Sequence, residues 1–389
     1  MTQKLAYQND QPAFQHLAVV GLGLIGASLA SAIKQSWPQV EIFGVDLNKR
    51  SCVVAQEQSW VDETSAPDDS RFDEFLKTTC DACILAIPAH GASYYFEKLT
   101  DLDFRGLVTD TASTKQVICA AAQELFRYPE NYIPGHPMAG SEKNGIDGAR
   151  SDLFQGAHWI LCPDEQTNPE YFQKLHEFIT GIGARMVSLP REKHDSAVAI
   201  VSHVPHIVAS SLVKLMFNHA DDQESLYRLA AGGFKDTTRI AAGSPQLWTG
   251  IAFDNSAALH DGLLEMQDII GSFVKSLETD DRENMKELLE EAASLRRSLP
   301  AAWVPSTDRL LEVRIPMENR KGVVAEVTTI ASSVGCNIQS IEIDHITAES
   351  AVLSLILTDE GDIGKLSARL IDSGFSVSFS PLASREMES

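Results

Sequence analysis

The 389-residue sequence has no long run of Lys or Arg, and its 54 acidic side chains outnumber 32 basic ones, leaving a formal charge of −22. Such a surface repels nucleic acid and anionic membranes, so neither is an expected partner, and any anionic ligand must be met by a few local cations. The segment from Met1 to Asp10 lacks the basic and apolar regions of a secretory leader, and no uninterrupted apolar stretch approaches a membrane span; the expectation is a cytoplasmic protein. Cysteine is sparse as well. Cys52, Cys80, Cys83, Cys119, Cys162 and Cys336 are scattered through apolar segments, as reduced buried thiols are, and do not form a disulfide framework. Cys80 and Cys83 match C-x-x-C, but they enter the apolar run Ala82 to Ile87 with no second Cys or His pair nearby, so metal or redox use is not expected. The apolar share of 44% and charged share of 22% are those of ordinary folded chains. The length predicts two or three domains.

The first part alternates short apolar runs (Leu17 to Val20, Glu41 to Val45, Cys83 to Ile87, Gly106 to Val108, His158 to Cys162) with helical patterns, which predicts parallel strands with crossover helices. Beyond Gly181-Ile182-Gly183 strand signals fade. Long apolar faces such as Ala197 to Phe217 and Ala257 to Leu277 predict an all-helical region, and helices this apolar ask for a covering surface, for which a second copy of the chain is the expected source. After a linker marked by Pro300 and Pro305, the order strand Arg309 to Pro316, helix Gly322 to Val334, strand Asn337 to Ile343, strand Ala351 to Thr358, helix Ile363 to Ser373 and strand Ser376 to Ser380 is the βαββαβ ferredoxin-like unit. The expected division is a tail 1–14, a Rossmann α/β domain 15–183, an all-α dimerisation domain 184–299, a linker 300–307 and an α+β domain 308–389.

Gly21-Leu22-Gly23-Leu24-Ile25-Gly26 directly follows the first strand and opens a helix. The first glycine permits the tight turn, the second lets backbone approach a pyrophosphate, and the third lets helix pack on strand. Asp46 ends the second strand twenty positions past Gly26, where a carboxylate accepts hydrogen bonds from ribose hydroxyls and repels a 2′-phosphate. NAD is therefore the expected cofactor. Asn48, Lys49 and Arg50 just downstream leave NADP as the alternative.

His136, between Gly135 and Pro137, is read as lying in a loop before the last strand of the sheet, where ligands bind at strand carboxyl ends; there it can take a hydroxyl proton while hydride leaves the same carbon. Asp110 to Lys115 ends at the same edge, with a helix cap through Ser113 or Thr114 as its plainer reading. His203 and His206 fall three apart on one helix face around Pro205, and metal binding by this pair lacks an acidic third ligand. Gly232-Gly233 reads as a break between helices flanked by Lys235 and Arg239, either a carboxylate clamp or surface decoration.

Together these segments resemble the prephenate dehydrogenase family of tyrosine biosynthesis over nearly the whole chain. The specific pieces are Gly-His-Pro-Met-Ala-Gly-Ser at 135–141, Ser-His-Val-Pro-His at 202–206 and Gly-Gly-Phe-Lys-Asp-Thr-Thr-Arg at 232–239, and the region from Leu310 is similar to an ACT domain. The resemblance implies oxidation of prephenate at ring C4 by NAD with loss of the ring carboxylate, giving 4-hydroxyphenylpyruvate. It implies that His136 accepts the C4 hydroxyl proton, Ser113 orients that ring, Arg239 pairs with a substrate carboxylate and His206 meets the pyruvyl group. Lys235, Asp236, His194, Ser141, Glu142, Ser202, His203 and Trp248 complete the site, and Ile87 and Pro88 join the glycine turn and Asp46 around the cofactor. A homodimer through the helical domain and feedback inhibition by L-tyrosine, at Asn319, Gly322, Val323, Asn337 and Ile338, are the implied assembly and control. Arogenate or cyclohexadienyl dehydrogenase is the alternative within enzymes, and a non-catalytic sensor of NAD and amino acid the alternative outside them.

Overall fold

The computed structural model describes residues 12–140, 145–219, 230–298, 311–318, 320–345, 350–357 and 362–381. The chain divides into two compact units, Met1–Gly271 and Ser272–Ser389.

The first unit begins with β1 (His16–Val20), α1 (Leu24–Ser36), β2 (Glu41–Val45), α2 (Lys49–Glu57), β3 (Glu63–Ser65), α3 (Ser70–Thr78), β4 (Ala82–Leu85), α4 (Ala92–Asp101), β5 (Leu107–Asp110), α5 (Gln116–Leu125) and β6 (Tyr132–Ile133). Every neighbouring strand pair is parallel and the order is β3-β2-β1-β4-β5-β6, the doubly wound arrangement that the alternating pattern predicts. Leu17 and Val19 enter one core layer and Ala18 and Val20 the other, so both sheet faces are covered and the strand reads as a continuous apolar run. Strand order reverses between β1 and β4. The turns after these two strands diverge there and leave the crevice in which such sheets hold ligands.

The fifth expected strand departs from the expectation. β8 (His158–Leu161) lies outside the parallel sheet, in a second sheet where it pairs antiparallel with β7 (Gly135–Pro137) and parallel with β9 (Arg185–Ser188), which follows α6 (Pro169–Gly181). His136 therefore stands on a strand and not in a loop. Gly135 allows this strand to press on the end of β5, since a Cβ there would lie 2.6 Å from the Asp110 carbonyl oxygen. β3, β6, β7 and β9 were invisible in the pattern because two to four residues display no period.

From Arg191 the first unit is helical, with α7 (Arg191–Val198), α8 (Val204–Asn218), α9 (Gly232–Thr238), α10 (Pro245–Asp254) and the start of α11 (Ser256–Glu278). α7 and α8 run on through a π-helical turn, Ala199–His203, placed just before Pro205, whose missing N–H leaves a carbonyl of the preceding turn without its helical partner. Against the expectation that no stretch suffices, Arg191–Asn218 is long and apolar enough by length and composition to cross a membrane. It nevertheless carries four buried polar residues, His194, Asp195, His203 and His206. Gly232 and Gly233 open α9, and residues 220–229 before them lie outside the described residues.

The second unit holds the end of α11, α12 (Arg282–Ser298), β10 (Leu311–Glu318), α13 (Val323–Ser333), β11 (Ile338–His345), β12 (Ser350–Leu357), α14 (Ile363–Asp372) and β13 (Ser378–Pro381). The predicted βαββαβ order forms one antiparallel sheet, β11-β12-β10-β13. Val313 and Ile315 are buried with Val327, Ala331, Leu366 and Leu370 of the two helices. The loops named for L-tyrosine stand apart. Leu311 and Ile338 both pair with Leu357, so Ile338 lies at one end of the sheet, whereas Gly322 follows the other end at Glu318. The 11 residues of α13 separate the two loops by about 16 Å at 1.5 Å per residue, and within one copy the turn at Gly322 and Val323 does not face Asn337 and Ile338. Asn319 and the linker 300–307 lie outside the described residues.

Candidate active site

At the crevice, Gly21 adopts φ +92°, and a Cβ on it would meet the Ala86 carbonyl oxygen at 2.3 Å and Ile87 at 2.8 Å; one on Gly26 would strike the Gly21 carbonyl oxygen at 1.8 Å. These two glycines are fixed by the protein's own packing. Gly23 differs: a Cβ there would meet nothing within 4 Å, and as N-cap of α1 it has no capping side chain, so free amides face open space fit for a pyrophosphate. Asp46 is held ready, its Oδ2 accepting the Leu22 amide at 2.6 Å and its Oδ1 the Asn48 amide at 2.7 Å. Leu24 and Ile25 start α1, and Ile87 and exposed Pro88 follow β4 across the crevice. Arg50 is already engaged, donating twice to Asp147, at 2.8 and 2.6 Å.

The second constellation is a buried polar chain. His136, 8% exposed, shares a 2.8 Å hydrogen bond between its Nδ1 and His194 Nε2. His194 Nδ1 is 2.7 Å from Asp195 Oδ1. Both His194 and Asp195 are fully buried. The Asp195 carboxylate also accepts the amides of Lys115 at 2.8 Å and Gln116 at 2.9 Å, so it, and not Ser113 or Thr114, caps α5. That corrects the expected cap. Burial works against its charge, yet the hydrogen bonds from His194, Gln116 and Lys115 hold the Asp195 carboxyl below its ordinary range.

Lys115 is itself fully buried and reaches Asp110, whose carboxylate further accepts Tyr132 Oη–H at 2.7 Å and the Ala112 amide at 2.8 Å. Burial, then the cation of Lys115, then His194 and His203, hold the His136 ring well below the ordinary histidine range, in its neutral form. The orienting partner expected for His136 was Ser113. The observed partner is His194, while Ser113 is half-buried three residues past Asp110.

His203 and His206 are buried on the same helix. Trp248 of α10 binds them together, stacked on His206 at 3.5 Å between ring centroids and edge-on to His203 at 6.1 Å. Burial lowers both imidazoles, His203 to about 4. His206 Nδ1 is buried without a hydrogen-bond partner among the described residues. Asn255 Nδ2 donates to the Asp195 carbonyl oxygen at 2.8 Å and lies 3.3 Å from His203 Nδ1. Gly243 allows the stack to form, since a Cβ there would lie 2.5 Å from Trp248 Nε1; this glycine closes the 3₁₀ turn Arg239–Ala242. Arg239 is exposed at the start of that turn, Lys235 and Asp236 are exposed on α9, and Ser202 is half-buried in the π turn. Ser141 and Glu142 lie outside the described residues. Among the described residues no three His, Cys, Asp or Glu side chains converge as a metal site, and burial pushes the Cys83 thiol up to about 12 and that of Cys80 well above its usual range. Asp195, Asn255 and Gly243 were missed from the sequence, and Asp110 and Lys115 stood there only as the ends of the segment at the close of β5.

A dinucleotide crevice joined to a buried histidine network on a helical domain defines a nicotinamide-dependent oxidoreductase. Residues 29–188 match the family model described as prephenate dehydrogenase, nucleotide-binding domain, and residues 190–291 the one described as prephenate dehydrogenase, dimerization domain. A prephenate dehydrogenase of Bacillus subtilis is 32% identical over 335 residues, covering 84% of this chain and 87% of the relative. This chain belongs to the prephenate dehydrogenase family. Among solved structures, Aquifex aeolicus prephenate dehydrogenase in complex with hydroxyphenyl propionate and NAD+ matches with a TM-score of 0.68 and 25% identity, over 74% of this chain and 98% of that one. Synechocystis arogenate dehydrogenase matches with a TM-score of 0.62 and 30% identity, over 73% of this chain and all of that one.

Proposed function

We propose that this chain catalyses the NAD-dependent oxidative decarboxylation of prephenate to 4-hydroxyphenylpyruvate in L-tyrosine biosynthesis. The observation that carries the reading is the neutral His136 ring beside the carboxyl end of β5, in a chain of this family. NAD, when bound, supplies the hydride acceptor. His136 accepts the C4 hydroxyl proton, and Ser113 offers a hydroxyl at the same edge. Arg239 pairs with a substrate carboxylate, and His206, whose Nδ1 has no partner among the described residues, meets the pyruvyl group against Trp248. Ser202 and His203 line the pocket, Ser141 and Glu142 are assigned to substrate binding by the family resemblance alone, and Lys235 and Asp236, exposed in a single copy, serve the site of a homodimer formed through the helical domain. Aromatisation drives the loss of CO2, so the chain chiefly supplies orientation, a base and a carboxylate anchor.

Formation of NADH with prephenate, followed by the same assay with arogenate, tests this reading. Absence of NADH with prephenate overturns it. Turnover of arogenate alone would favour the second reading, which the 30% identity to an arogenate dehydrogenase supports. Arg239→Gln is expected to raise KM for prephenate about 10- to 100-fold with kcat nearly kept, the cost of a lost charge-assisted hydrogen bond.

The cytoplasmic location and the boundaries 15–183, 184–299 and 308–389 belong to the same proposal. So does an ACT identity for the C-terminal βαββαβ unit, with feedback inhibition by L-tyrosine. Because the loops at Gly322 and Asn337 sit at opposite sheet ends, a tyrosine site using both needs two copies of the unit. Truncation after Trp303 is expected to abolish tyrosine inhibition, and inhibition that survives unchanged discards the regulatory role.

A further inference from the structure

We propose that Asp195 and His194 act through His136 as a proton relay, His194 serving as a positioning residue that receives the ring's second proton during the reaction. The inference rests on the reading of His136 as base, and it reassigns His194 from the substrate pocket to the interior behind it.

The hydrogen-bond order fixes the tautomers. Asp195, ionised and accepting two backbone amides, can only accept from His194, so His194 Nδ1 carries its proton at the 2.7 Å contact. The Nε2 of a neutral His194 is then an acceptor. The 2.8 Å contact to His136 Nδ1 must accordingly be donated by His136, and the lone pair of His136 Nε2 is left for the substrate. Without this chain the neutral ring would divide between two tautomers, one of them useless as a base at Nε2.

Charge placement carries the inference further. The groups facing the two rings are Lys115 at the start of α5, with Asp110 of β5 paired to it, Asp195 on α7 and His203 in the π turn. Lys115 opposes a positive charge on His136, whereas the Asp195 carboxylate touches His194. As the substrate O–H bond breaks and N–H forms at His136 Nε2, the Nδ1–H bond of His136 breaks and N–H forms at His194 Nε2. The positive charge comes to rest on His194 against Asp195, which takes no proton, while the hydride leaves separately for NAD. A base kept neutral by its surroundings can in this way accept a proton without holding the charge.

His194→Gln is the discriminating variant, because its Oε1 still accepts from His136 Nδ1 and keeps the tautomer but cannot take the proton. The expected result is a fall in kcat of about 100-fold, KM values for prephenate and NAD within twofold, and an acid limb of the kcat profile moved to lower pH, since the proton must now sit on His136 beside Lys115. A kcat within threefold of wild type with an unmoved limb overturns the relay. Histidine ¹⁵N spectra of the wild-type protein check the tautomers without any substitution: Nδ1–H on both His136 and His194 is expected at neutral pH, and Nε2–H on neutral His194 overturns the assignment. If the wild type forms no NADH from prephenate, the functional reading falls by that assay alone.

Discussion

The crevice that would hold NAD and the histidine network behind it lie in one compact unit, yet they are built in opposite ways. The crevice is made of neighbours in sequence: Gly21, Gly23 and Gly26 lie within one turn, and the Asp46 carboxylate closes back on the Leu22 amide just 24 residues away. The network is made of strangers. Asp195 caps α5 across 80 residues, and His194 meets His136 across 58. A short motif dictates its own geometry through backbone sterics, whereas a buried polar chain exists only once the core that encloses it is packed. Perturbing the network is therefore expected to cost more than perturbing the crevice.

The largest effect is expected at His136. His136→Asn removes the proton acceptor and should lower kcat by about 10²- to 10⁴-fold with NAD binding unchanged. Turnover near the wild-type level would mean that the network is a structural clamp and that the comparison with the crevice is one of packing alone.

Lys115→Met comes next, and it addresses stability. Lys115 and Asp110 are both 0% exposed, and breaking a buried pair by removing one partner costs about 3–5 kcal/mol. Urea unfolding measures this. A loss below about 1 kcal/mol would show that Tyr132 and the amides of Ala112 and Gly135 satisfy Asp110 by themselves. Because Lys115 is among the groups that depress the His136 ring, the variant should also protonate His136 at a higher pH.

These two residues show what the sequence made legible. The doubly wound sheet was readable because β1 from Leu17 and β2 from Ile42 are buried on both faces and so read as continuous apolar runs. The βαββαβ unit was readable because β10 alternates, with Val313, Ile315 and Met317 inward. His136 stood out through its Gly and Pro neighbours. Asp195, by contrast, resembles any helix-surface carboxylate in sequence, and Lys115 any charge after a strand; their meaning lies in partners fixed only by the packing of α7 on α5. The strand carrying His136 was mistaken for a loop for the same reason, since its pairing partner β8 lies more than twenty residues on.

A smaller effect is expected from pH. Burial holds His203 at about 4 against 6.5 for the free side chain, so between these values the unfolded chain binds more protons than the folded one. This part of the stability is complete above pH 6.5 and is lost as pH falls toward 4. Thermal melts across that window should show a shallower slope for His203→Gln. An unchanged slope would place the acid sensitivity elsewhere and weaken the view that the network carries the longer-range cost.

The smallest effect concerns a polar contact through which the crevice, too, depends on a distant partner. Arg50 follows Asp46 by four positions and is one of the cations expected to favour a 2′-phosphate, but Asp147, 97 residues away, accepts one hydrogen bond from each of its two terminal guanidinium nitrogens. Both side chains are more than 60% exposed, so the pair contributes little to stability. Its consequence is selectivity, because an engaged guanidinium has fewer donors left for a phosphate while Asp46 repels one. Asp147→Asn is expected to raise kcat/KM with NADP by on the order of tenfold, leave kcat/KM with NAD within twofold, and combine with Asp46→Ser for a larger rise. If Asp147→Asn leaves the NADP value where it was, discrimination resides in Asp46 alone, and the crevice is as local in its chemistry as it is in its sequence.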